Sequence, residues 1–169
     1  VKIDPTFPLP QAALIGCSVT TGVGAVMYNA EVKPGSSIAV IGCGGVGLNI
    51  VQGARLAGAS KIIAVDINDA ALEFATKFGA THTVNPQGTD ALKKIKELTD
   101  GGVDYAFESF GSSDTISLTV DSVCKGGTAV IVGLAAIDDY PSIDPVALVR
   151  QEKTIKGSYY GTSRPSIDF

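Results

Sequence analysis

The chain has 169 residues, 45% of them hydrophobic and 18% charged, which is the length of one domain with ample apolar material for a buried core and excludes intrinsic disorder. A formal charge of −4 with scattered basic residues provides no counterion-release drive toward phosphate backbones, so no nucleic acid partner is expected. No apolar run is read as reaching the roughly 18 residues of a bilayer span, and no charged-then-apolar leader opens the chain, so a cytoplasmic protein without a membrane partner is expected.

The opening stretch, residues 1–10, is extended and punctuated by Pro5, Pro8 and Pro10. It reads as an interdomain linker, which makes residues 11–169 the domain proper and suggests a piece of a longer polypeptide. Residues 11–30 are small and apolar and fit a helix or a pair of helical turns before the Lys33-Pro34-Gly35 turn. From there apolar runs alternate with helical patterns. Strands are expected at 37–41, 61–65, 82–84, 103–108, 128–132 and 154–159, and helices at 44–57, 69–78, 90–98 and 114–124. Asn68 or Asp69 caps the second of these helices and Gly79 closes it in a left-handed conformation.

The strand runs are short and nearly continuously hydrophobic, as in parallel strands covered on both faces. Their alternation with helices of about ten residues predicts an α/β Rossmann fold, a doubly wound six-stranded parallel sheet with helices on both faces. Three cysteines, Cys17, Cys43 and Cys124, have neither an even count nor paired spacing, so a reducing compartment is expected. Cys43 is read as filling space under a loop and Cys124 as ending a helix in the core. Neither has a neighbouring His or Lys in sequence to activate it.

Between the first strand and its helix lies Gly42-Cys-Gly44-Gly45-Val46-Gly47, a G-x-G-x-x-G pattern. The pattern is weak alone. It gains weight from its place between a strand and a helix and from Asp66 at the end of the next strand. Gly42 supplies the tight turn, Gly44 lets backbone approach a pyrophosphate, and Gly47 lets helix and strand pack closely. The helix amides then bind phosphate oxygens. Asp66 accepts from the adenosine ribose hydroxyls and repels a 2′-phosphate, which favours NAD over NADP. The plain alternative is a glycine-rich turn that binds no dinucleotide.

Further stretches carry a resemblance. Leu14-Ile-Gly16-Cys17-Ser-Val-Thr-Thr21-Gly22-Val-Gly24, Val32-Lys-Pro-Gly35, the glycine loop, Val65-Asp-Ile-Asn68, Phe78-Gly-Ala-Thr81, Val84-Asn-Pro86 and Val103-Asp-Tyr-Ala-Phe-Glu108 resemble, in order, the coenzyme domain of zinc-dependent medium-chain alcohol dehydrogenases. The likeness is strongest to the branch of thiol-linked formaldehyde and aryl-alcohol dehydrogenases. The resemblance implies NAD as cofactor, zinc in the full-length parent, and hydride transfer between an alcohol or aldehyde adduct and NAD.

It also implies residue roles. Cys17 matches the zinc-ligating Cys that precedes the coenzyme domain, while the other ligands belong to a catalytic domain outside this chain. One thiolate does not hold a catalytic zinc, so the chain alone is expected to be inactive. Thr21 and Val46 match positions against the nicotinamide ring, and the backbones of Val132, Ser158 and Tyr160 those that hold its carboxamide. Ser109 and Phe110 match the wall beside the riboses, and Gly45, Ile67 and Leu134 complete the cofactor-binding set. Where the family often places a basic residue near the adenosine ribose, this chain has Ala71 and Ser112.

The last strand, with the apolar stretch 143–149 before it, is expected to pair with a twin in a homodimer, since an open edge strand is a pairing template. A covered edge on a monomer is the alternative. Two other functional classes suit the same residues: a stand-alone NAD(H)-sensing module without catalysis, and a cofactor-free scaffold domain.

Overall fold

The computed structural model describes residues 4–164 and Ile167. Val1–Ile3 of the expected linker, and Pro165, Ser166, Asp168 and Phe169 of the expected domain, lie outside the described residues.

The small apolar residues at the start form one helical run, α1 (Leu9–Asn29), with π-helical turns at Ile15–Val19 and Ala25–Asn29. Helix therefore begins inside the stretch read as a connection, with Pro8 as its N-cap. The run also corrects the expectation about apolar length: its 21 residues carry no charge and are long and apolar enough, by length and composition, to cross a membrane. Interspersed glycines and hydroxyls hid the length of the run. In this structure its second half packs inside the protein, where Thr20, Gly22, Gly24, Ala25 and Val26 are buried.

Five strands and helices then alternate: β1 (Ser37–Ile41), α2 (Gly45–Leu56), β2 (Lys61–Val65), α3 (Asp69–Phe78), β3 (His82–Val84), α4 (Ala91–Thr99), β4 (Val103–Glu108), α5 (Ser113–Ser122), β5 (Val123–Ile131) and α6 (Pro145–Arg150). A final strand, β6 (Thr154–Gly157), precedes a 3₁₀ turn at Tyr160–Thr162. All pairings are parallel, and the strand order is β3-β2-β1-β4-β5-β6. This is the expected doubly wound sheet of Rossmann type, with its order reversing between β1 and β4.

Alternation along each strand builds two cores. Ile38, Val40, Ile62, Phe107 and Val130 meet α1, α2 and α3 through Val26, Ile50, Val51, Leu72 and Ala75. Ala39, Ile41, Ile63, Ala106 and Ala129 meet α4 and α5 through Ile95 and Val120. Close approach of α1 to α2 depends on Gly22, where a Cβ would stand 2.6 Å from Asn49 Cβ and from the Val46 carbonyl O.

The α3 caps are as the sequence predicts: the Asn68 side chain accepts from Ala70 N–H, and Gly79 closes the helix at φ 123°. One boundary differs. The helix read over 114–124 ends at Ser122, and Val123 opens β5 paired to Val103. Cys124 therefore belongs to a strand and is half-buried, rather than ending a helix in the core. The register shift between Val103 and Tyr105, with Gly126 at φ 76°, separates this first pairing from the ladder beginning at Thr128. β6 stops at Gly157, two residues short of its predicted end.

Candidate functional site

In a doubly wound sheet, ligands bind outside the carboxyl ends of the strands where the strand order reverses. Here that crevice lies between β1 and β4. The segment that follows β1 is the glycine loop, and its glycines act in different ways. Gly42 has φ 91°, a conformation that favours glycine, and a Cβ on it would lie 3.2 Å from Phe110 N and Cβ. A Cβ on Gly47 would collide with the Gly42 carbonyl O, so helix and turn are in direct contact. Gly44 differs: it is exposed, has extended backbone, and a Cβ on it would meet nothing within 4 Å. No packing among the described residues requires a glycine there.

The N-terminus of α2 begins at this open position and has no side-chain cap among the described residues. By contrast, Asn68, Asp90, Ser112 and Asp144 cap α3, α4, α5 and α6. The first amides of α2 lack intrahelical acceptors, and the helix dipole makes them a locus for an anion.

Asp66, at the end of β2, turns its carboxylate toward this loop. Its Oδ2 accepts from Cys43 N–H at 2.7 Å and its Oδ1 from Asn68 N–H at 2.9 Å. A carboxylate offers about four acceptor positions, so capacity remains for further donors. Cys43 itself is buried, and burial, with the Asp66 charge adding to it, pushes its thiol up to about 12. It stays a neutral thiol that packs beneath the loop.

On the other side of β1, Ser109 Oγ donates to Gly42 O at 2.8 Å, binding the β4 loop to the glycine turn. Glu108, the last residue of its expected strand, is fully buried, and its main-chain oxygen accepts from Val132 and Gly133 N–H. A Cβ on Gly111 would lie 2.5 Å from Leu134 O, so the loops after β4 and β5 touch. The residues nominated by sequence thus share one edge of the sheet: the loop 42–47, Asp66 and Ile67, Ser109 and Phe110, Val132 and Leu134. Three of them hold large apolar side chains in the open, Ile67 at 61%, Phe110 at 70% and Leu134 at 83% exposure.

Three nominated residues stand farther along. Ser158 follows β6, its N–H donating to Ile131 O and its hydroxyl buried without a hydrogen-bond partner among the described residues. Tyr160 adopts φ 49° and stacks edge-on with Tyr159, with ring centroids 4.9 Å apart. Thr21 adjoins Gly22, at the place where α1 meets Val46 and Asn49. Cys17 is exposed in the first π-helical turn. Among the described residues no three His, Cys, Asp or Glu side chains gather as a metal-binding group. A single thiol does not meet the three-ligand requirement of a catalytic zinc.

Comparison with known proteins bears on this edge of the sheet. Residues 45–168 match the family described as zinc-binding dehydrogenase. The chain belongs to that family. It is 44% identical over 167 residues to S-(hydroxymethyl)glutathione dehydrogenase of Saccharomyces cerevisiae, covering 95% of this chain and 43% of that protein. It is 42% identical to alcohol dehydrogenase 2 of Zea mays, covering 99% of this chain and 45% of the relative. Benzyl alcohol dehydrogenase from Acinetobacter calcoaceticus superposes with a TM-score of 0.95 at 38% identity, over 99% of this chain and 46% of that structure.

An alcohol dehydrogenase zinc-binding domain protein from Burkholderia ambifaria gives 0.94 at 39%, again over 99% of this chain and 45% of the other. The zinc-binding dehydrogenase chain therefore spans less than half the length of the relatives it matches. It is homologous to the nucleotide-binding part of medium-chain alcohol dehydrogenases.

Proposed function

We propose that the chain binds NAD(H) across the carboxyl edge of its sheet and serves as the coenzyme domain of a zinc-dependent alcohol dehydrogenase. The observation that carries this reading is the uncapped N-terminus of α2 behind an open Gly44, with the Asp66 carboxylate beside it. The amides at the start of α2 bind the pyrophosphate, Gly44 leaving room for it. Asp66 accepts from the adenosine ribose hydroxyls while still holding Cys43 N–H.

Ser109 and Phe110 flank the riboses, and Ile67 and Leu134 cover the open sides. Thr21 and Val46 pack against the nicotinamide, whose carboxamide is held by the main chain of Val132, Ser158 and Tyr160. Bound NAD supplies a hydride acceptor at C4 of its nicotinamide ring. Cys17 is the zinc-ligand candidate within this chain. The remaining ligands, the proton relay and the walls of an alcohol pocket are attributed to sequence outside it, so no catalytic step is assigned to these residues alone. Three free cysteines favour a reducing, cytoplasmic setting.

Calorimetric titration of the chain with NADH and NADPH tests the reading. Saturable one-to-one binding of NADH, tighter than NADPH by at least about tenfold, is expected, because a like charge facing the 2′-phosphate costs several kcal/mol. No binding of NADH at millimolar concentration would leave a cofactor-free scaffold.

A homodimer through β6 completes the proposal. This strand ends the sheet with all four residues exposed, and exposed Val146, Val149 and Tyr159 lie in the segments before and after it. Pairing would satisfy the edge. Sedimentation equilibrium at tens of micromolar is expected to give twice the chain mass. A monomer at that concentration would remove the dimer.

A further inference from the structure

Glu108 is 0% exposed at the end of β4. Burying a carboxylate is costly unless donors meet it. Its Oε1 accepts from three donors: Phe110 N–H at 2.9 Å, Gly111 N–H at 2.7 Å and Thr115 Oγ1 at 2.8 Å. Its Oε2 has no hydrogen-bond partner among the described residues and lies against Gly133, where a Cβ would stand 2.5 Å away. The main-chain oxygen of the same residue accepts from Val132 N–H at 2.9 Å and Gly133 N–H at 3.2 Å.

One residue therefore anchors the chain leaving β4, the start of α5 and the chain leaving β5. Those segments carry Phe110, Val132 and Leu134. We propose that Glu108 is the positioning residue for the nicotinamide-side wall of the dinucleotide site, an inference that rests on the NAD(H) reading above. The side chain itself touches no ligand. It holds the β4 loop and the start of α5 against a residue whose main-chain oxygen holds the β5 loop, and so sets the spacing of the groups that face the nicotinamide half.

The adenosine side keeps anchors that do not involve the Glu108 carboxylate, among them the Ser109 Oγ bond to Gly42 O at 2.8 Å. Asp66 holds the glycine loop and the start of α3 through its contacts with Cys43 and Asn68, across β1 from Glu108. Loss of the Glu108 carboxylate should therefore weaken one half of the ligand and spare the other. A residue that merely supported the fold would affect both halves alike.

The test is calorimetric titration of the wild-type chain, E108A, E108Q and T115V with NADH and, separately, with ADP, which carries the adenosine half alone. E108A is expected to weaken NADH by about tenfold or more, the scale of lost charge-assisted hydrogen bonds, with ADP within about twofold of wild type. E108Q retains an oxygen to accept from the three donors and is expected to recover NADH affinity to within about threefold. T115V keeps the shape and removes one donor, which should cost NADH about threefold and leave ADP unchanged.

Wild-type NADH affinity in E108A overturns the proposal, as does parallel loss of NADH and ADP. Should E108A fail to fold, wild-type NADH affinity in T115V does the same. A wild-type chain that binds neither ligand overturns the dinucleotide reading itself, whereas one that binds both with the variants unaffected overturns only the role of Glu108.

Discussion

Replacing Gly44 by aspartate is expected to abolish NADH binding and, at the same time, to make the chain more resistant to heat. The two effects have opposite signs because they act on the same unfilled position. Gly44 has extended backbone that any residue adopts, and a Cβ there meets no neighbour within 4 Å, so the substitution introduces no clash. An aspartate at the N-cap can accept from the first-turn amides of α2 and interact favourably with the helix dipole.

Loss of glycine also reduces the freedom of the unfolded chain. Together these contribute about 1 kcal/mol, which is a rise of roughly 2–4 °C in melting temperature for a chain of this size. The same carboxylate occupies the place of the pyrophosphate and repels it. A like-charge juxtaposition of that kind costs several kcal/mol, so NADH affinity should fall by at least about 100-fold. Thermal melting and NADH titration of G44D check both halves. A drop in melting temperature would contradict the open-position account, and retained affinity would move the phosphates away from α2.

The second large effect concerns Asp66. In D66N the charge is lost while one oxygen remains to accept from Cys43 N–H, so the loop keeps its anchor. Hydrogen bonds to charged groups contribute about 1.5–3 kcal/mol, and NADH affinity is expected to fall by roughly tenfold to a hundredfold. NADPH should behave differently, because removing the carboxylate relieves its repulsion of the 2′-phosphate. The preference for NADH over NADPH is therefore expected to shrink by at least about tenfold. Equal losses for both cofactors would mean that Asp66 serves only to brace the loop.

Much of this arrangement is readable from residue order. The strands β1 to β4 appear at their observed bounds because parallel strands buried on both faces must be short apolar runs, and each is punctuated by Gly, Asn, Asp or Ser. The glycine loop is legible because its glycines have separate physical causes: Gly42 shows its positive φ and Gly47 its contact with the Gly42 carbonyl, while the role expected of Gly44 waits on the ligand. The junction of α5 and β5 is not legible in the same way. Asp121-Ser122-Val123-Cys124 continues a plausible helical pattern, and only pairing of Val123 with Val103 across the sheet makes it a strand.

Helix α6 is not among the helices expected from sequence although its signal is present, with Asp144 as N-cap and Pro145 at the first helical position. The apolar character of 143–149 reads equally as a docking surface. The burial of Glu108 is hidden for a different reason. A charged residue at the end of an apolar run reads as the strand's exit to solvent, and its burial follows from loops after β4 and β5 that close over it. Nothing local in the sequence encodes that closure.

On the proposed function a dinucleotide lies across the carboxyl edge of this sheet, with its phosphates on α2. An amide-resolved NMR titration of the 169-residue chain with NADH tests it most directly. Saturable shifts are expected at 42–47, Ile67, Phe110 and Val132, with the amides of α4 unchanged. No shifts at millimolar NADH, or shifts that spare the glycine loop, would contradict it.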